Sequence, residues 1–147
     1  MNPINELKKE HLEIERELFE LDSIIGDEII NYSNLVHTFR KLCVIWDRHE
    51  AEEEKIFAVM EKERIKVPFY TMTCEHKDIA GHVGKVKGAI NSGDDFKVKK
   101  SFHDDLRVVV DKIRDHINQE DEVLYTIALS EFTEDELEEM ARAIEEK

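Results

Sequence analysis

Turn-forming residues are scarce: 5 glycines and 2 prolines in 147 residues are too few for a fold of many short strands joined by tight turns. Cysteine is nearly absent as well. Cys43 and Cys74 have no CxxC spacing and fall in segments of different helical register, which argues against a disulfide framework or a thiolate zinc site and predicts reduced thiols. No run approaches the roughly 20 apolar residues of a membrane span, and the opening Met1-Asn2-Pro3-Ile4-Asn5-Glu6 lacks the basic-then-apolar order of a signal peptide. The expected location is therefore the cytoplasm. Positive charge is also in deficit, with 21 Lys and Arg against 35 Asp and Glu, a formal net charge of −14. Such a surface repels nucleic-acid phosphates and anionic membranes, so neither is expected as a partner, and it attracts cations.

What is abundant is charge, 38% of residues, interleaved with 41% hydrophobic residues, the composition of long helices with one wet face. The chain is expected to be all-α and to form one domain over residues 1–147. Asn2 and Pro3 make an N-cap and first-turn pair, after which Leu7, Ile14, Leu18, Leu21 and Ile25 recur at helical spacing up to Gly26. Leu35, Leu42, Ile45, Trp46, Ile56 and Met60 mark a second helix from about Ser33 to Arg64, ending before Pro68. A third begins near Thr71 or Thr73, carries Ile79, Val83, Val86 and Ile90, and stops at Asn91-Ser92-Gly93-Asp94. From Phe96 to about Leu129 runs a fourth stripe of Phe102, Leu106, Val109, Ile113, Val123, Leu124 and Ile127. Thr133 through Glu136 forms a capping box that opens a short acidic fifth helix over about residues 134–145. Short links between four long helices predict an up-down-up-down bundle over about residues 3–129, with the fifth helix appended at one end.

Polar residues interrupt all four stripes. His11 lies between Leu7 and Ile14; His49 and Glu53 lie between Trp46 and Ile56; His76 begins the series that Ile79 continues; His116 and Glu120 lie between Ile113 and Val123. In each HxxxE the two side chains stand one helical turn apart, about 6 Å, and reach the same small volume. Burying four imidazoles and two carboxylates costs several kcal/mol per charged group unless something compensates, and no Lys or Arg lies on these stripes. Metal cations supply that compensation. Imidazole with carboxylate suits iron, manganese or zinc, and two glutamates among four histidines favour two ions over one.

His37 and His103 rotate off the inward stripes and are expected at the surface, as are Glu52, Glu54 and the acidic run Glu134 to Glu146. His82 is placed at the surface or beside the site. Glu50, Glu15 and Asp121 are alternates for completing a coordination shell. Trp46 and Phe57, one turn to either side of the candidate ligands, belong to the core.

A His on helix 1, HxxxE on helix 2, Glu75-His76 opening helix 3 and HxxxE on helix 4 together resemble the hemerythrin-like, or HHE cation-binding, family, from His11 to Glu120. The resemblance implies a four-helix bundle holding two iron ions with an oxo or hydroxo bridge. It implies His11, His49, His76 and His116 as terminal ligands and Glu53 and Glu120 as bridging carboxylates. Oxygen-carrying hemerythrins have a further His four places after the first on helix 3, where this chain has Ala80. They also carry an Asp five places after the helix 4 His, where Asp121 stands beside the better-matched Glu120. That departure points away from simple oxygen carriage and toward relatives in which a carboxylate such as Glu50, or a water, completes the shell. Among those relatives are the iron- and oxygen-sensing domain of an F-box ubiquitin-ligase subunit and bacterial proteins that repair iron centres after nitrosative damage.

The leading expectation is a non-haem di-iron protein that binds or senses O2, NO or iron, without catalytic turnover. Its alternatives are an enzyme that reduces peroxide or NO or repairs iron centres at the same ligands, and an iron store. A ferritin-like ferroxidase is disfavoured, because none of the seven histidines has a Glu three places before it.

Overall fold

The computed structural model describes residues 2–63 and 69–145. Among them every regular element is helical. Helix α1 spans Pro3–Ile25, α2 Tyr32–Glu63 and α3 Phe69–Asn91. Residues 95–131 form α4, in which the α-helical stretches Asp95–Ser101, Arg107–Gln119 and Tyr125–Glu131 join through two five-residue π-helical turns, Phe102–Leu106 and Glu120–Leu124. Helix α5 is Glu134–Glu145. The third helix starts a little earlier than the threonines suggest. The expected end of the second helix near Arg64 and its stop at Pro68 lie outside the described residues, as does Glu146.

Local chemistry explains the helix ends. The Asn2 side chain accepts hydrogen bonds from the backbone N–H of Ile4 and Asn5, and Pro3 occupies the first turn, where a missing N–H costs nothing. Asp94 caps α4 through the N–H groups of Phe96 and Lys97, and Thr133 and Glu136 exchange the reciprocal bonds of a capping box. Gly93 takes a φ of 68°, the left-handed conformation that lets the chain turn out of α3.

The elements form a helical bundle: α1 packs on α2, α2 on α3 and α3 on α4, while α4 closes back onto α1 and α5 crosses α1 and α2. Its interior contains two apolar clusters. One holds Ile14, Leu18, Leu35, Trp46, Ile79 and Ile113; the other holds Leu7, Phe57, Met60, Met72, Leu124 and Tyr125. On every long helix the polar interruptions fall between the residues of the two clusters, so the bundle is two hydrophobic cores separated by one polar layer. Helix α5 is more than a charged appendage, because Leu137 and Met140 turn inward and complete the second cluster. None of the described helices is long and apolar enough to cross a membrane.

Candidate metal centre

All six residues picked out by the stripes meet in that layer: His11, His49, Glu53, His76, His116 and Glu120 are each at most 4% exposed. They form two overlapping groups of four, His11, His49, Glu53 and Glu120 on one side and Glu53, His76, His116 and Glu120 on the other. Within each group the candidate ligand atoms lie within 4.8 Å of one another. The carboxylates connect the halves. Glu53 places Oε2 at 3.2 Å from His49 Nε2 and Oε1 at 3.0 Å from His76 Nε2. Glu120 places Oε1 at 3.3 Å from His11 Nε2 and Oε2 at 3.2 Å from His116 Nε2.

Every imidazole directs Nε2 into the layer because Nδ1 is held from behind by a carboxylate. Glu10 lies 2.9 Å from His49 Nδ1, Asp121 3.0 Å from His11 Nδ1 and Glu54 3.2 Å from His76 Nδ1, while Glu75 contacts His116 Nδ1. Such partners set the tautomer and ring orientation that a metal-binding histidine needs. Aromatic rings cover the layer. Trp46 packs against His49, His76 and His116 at centroid distances of 5.8–5.9 Å, and Tyr125 stacks on His11 at 5.0 Å with Phe57 beyond it. The Tyr125 hydroxyl donates to Glu53 and also sits 3.1 Å from His11 Nε2.

As protein groups alone the layer is poorly satisfied. Glu53 Oε1, both carboxylate oxygens of Glu120, His76 Nε2 and His116 Nε2 are buried without a hydrogen-bond partner. The charges are correspondingly divided. Burial and the neighbouring charge of Glu53 push the Glu120 carboxyl well above its usual range. Burial would raise Glu53 too, but its close approach to Glu120, His49 and His76 holds it well below. Each half pairs one imidazole whose pKa is raised with one whose pKa is lowered. For His49, burial is outweighed by hydrogen bonds to Glu10 and Glu53, which raise it to about 9; burial and then the charge of His49 lower His11 to about 4. His76 is raised against its burial by Glu53, and burial lowers His116. Native interiors seldom leave so many polar atoms unpaired, and a cation in each half would satisfy them together. The residues therefore fit a pair of metal ions.

The other sequence candidates fall outside this inner set. Asp121 orients His11 through Nδ1, and Glu50 lies 4.0 Å from His76 Nδ1, its carboxyl raised to about 7 by burial. Glu15 pairs with Arg114, and half-buried His82 lies near Asp78. Ala80, His37 and His103 are exposed. Glu54, expected to be a solvated residue, is instead half-buried against His76. Val123 was expected on the inner stripe but is 50% exposed, and Tyr125, unmarked by the stripe, is fully buried. The π turn at Glu120–Leu124 explains both, since its extra residue shifts the phase of everything that follows. Tyr125, Glu10 and Glu54 are the contributors that sequence reasoning missed, while Glu75 was noted beside His76 without its place behind His116. A phenol five places beyond Glu120 has no helical signature, and Glu10 and Glu54 are lost among many glutamates.

A helical bundle with an internal layer of histidines and carboxylates defines a class of cation-binding helical proteins. Within it, the chain belongs to the hemerythrin HHE cation-binding domain family, which matches residues 2–128 and so takes in all six residues but not α5. Comparison with curated proteins and with solved structures gave no significant match.

Proposed function

We propose that this chain is a di-iron protein of up-down-up-down four-helix topology that binds or senses O2, NO or iron itself in its polar layer. His11 and His49 would hold one ion and His76 and His116 the other, with Glu53 and Glu120 shared between the two. The observation that carries this reading is the sharing of both carboxylates by two four-ligand groups, one oxygen toward each half. Four imidazole nitrogens with two bridging carboxylates suit iron, and thiolate has no part in either group. When bound, the ions supply redox-active positions at which a small exogenous ligand is held.

The surrounding residues act on that chemistry in definable ways. Glu10, Glu54, Glu75 and Asp121 keep Nδ1 engaged, so that Nε2 remains the donor toward the layer. Trp46, Phe57 and Tyr125 exclude water, and the Tyr125 hydroxyl steadies Glu53.

Purification without chelator, metal analysis and visible spectra through cycles of reduction and oxygenation test the proposal. Two irons per chain with charge-transfer bands that return on each cycle are expected. A single zinc, or no uptake of ferrous iron under anaerobic conditions, would overturn it. Bands that bleach while a product accumulates would shift the reading to an enzyme.

A further inference from the structure

The two halves of the polar layer differ in how they meet the outside. A cleft of about 200 Å³ opens between α3 and α4, walled by Thr71, Met72, Val123 and Leu124, and reaches inward to His116 and Glu120. Two of the residues that line it, Glu120 and His116, have carboxylate oxygens and Nε2 buried beneath it without hydrogen-bond partners, in side chains 4% and 3% exposed. The opposite half is covered by a phenol: the Tyr125 hydroxyl stands 3.1 Å from His11 Nε2 and its ring stacks on that imidazole. The cleft also accounts for Val123, a large apolar side chain held half-exposed at its mouth by the π turn.

The lining selects a chemistry. Met72, Val123 and Leu124 present carbon, no Lys or Arg among the described residues lines the cleft, and Glu75 and Glu120 lie within it, in a chain of net charge −14. An anion would enter against that field with no cation among the described lining residues to pair it, whereas an uncharged molecule meets no such barrier. The volume is several times the roughly 30 Å³ of a water molecule, ample for a diatomic.

We propose that a small uncharged diatomic ligand enters through the α3–α4 cleft and engages the centre from the His76 and His116 side, with Tyr125 closing the His11 and His49 side. The inference rests on the metal-centre reading above and adds to it a direction of approach.

Two surface substitutions, Val123→Trp and exposed Thr71→Trp, would plug the mouth without touching a candidate ligand. In iron-loaded protein, stopped-flow measurement of NO association is expected to show a rate constant lowered about tenfold or more in each variant, with iron per chain unchanged. Ala141→Trp, in the separate groove beside α5, is expected to leave the rate as it was. Should Val123→Trp fail to fold, Thr71→Trp carries the same test. Plugged variants that load two irons and bind NO at the original rate would overturn the proposal. A metal-independent readout is xenon under pressure in crystals, expected in the cleft against Met72 and Leu124 and absent from it in Val123→Trp; xenon missing from the unmodified cleft would count against the route. Unmodified protein that takes up no iron would sink the metal-centre reading and this inference with it. Normal loading with unaltered NO kinetics in the plugged variants would sink the inference alone.

Discussion

Glu53 is the residue whose loss separates a bridged pair from two independent sites. It belongs to both ligand groups, so Glu53→Ala is expected to remove both ions, whereas His11→Ala weakens one half and leaves about one ion per chain, as counted by metal analysis. Tyr125→Phe tests a different contribution. It removes the donor to a fully buried carboxylate, and chemical denaturation is expected to show a loss of about 1–2 kcal/mol. The cysteines differ by environment: Cys74 is exposed, while burial raises the Cys43 thiol from 9.0 to about 11. Folding therefore favours the protonated Cys43, and its contribution to stability is undiminished below pH 9 and declines as pH rises through 11. A thiol reagent at pH 8 is expected to label Cys74 promptly and Cys43 only on unfolding, which mass spectrometry after timed quenching resolves.

Among the elements, α4 has the most unusual geometry, because two π turns interrupt it and the second begins at Glu120 itself. A π turn holds one more residue than an α turn, so the residues after it are displaced by about 100° from the uninterrupted phase. That displacement brings Tyr125 and Ala128 into the second apolar cluster and leaves Val123 at the mouth of the cleft. Deleting Glu122 would restore α phase beyond Glu120 and turn those two side chains out of the core. A loss of about 3 kcal/mol or more is expected in denaturant titrations, against roughly 0.5 kcal/mol or less for Glu122→Ala at the same exposed position.

At the scale of the whole molecule, the polar layer divides the interior in two, and α5 completes the cluster on the Tyr125 side. Asn2 ties that arrangement together, capping α1 while its Nδ2 donates to Glu134 at 2.9 Å. Leu137→Ala is accordingly expected to cost about 2–4 kcal/mol by denaturation with both ions retained, while Glu139→Lys on the exposed face changes stability little.

The sequence by itself determined the helices, their inward faces and the six polar residues that interrupt those faces. The reason is local: helical repeat carries residues four apart onto one side, so His49 with Glu53 and His116 with Glu120 were legible as pairs before any tertiary contact was known. The caps at Asn2 and Thr133 were legible too, because a capping side chain reaches only two or three residues along the chain. Only the tertiary structure decided which carboxylate stands behind each imidazole, that Glu54 and Asp121 face Nδ1, and that Ala80 faces outward. It also decided that Tyr125 covers one half while the α3–α4 cleft opens toward the other. Those outcomes depend on the relative rotation and depth of helices far apart in sequence, and on the π turn at Glu120–Leu124. A one-residue change of phase exchanges a buried phenol for an exposed valine, which helical periodicity read along one strand of sequence does not register.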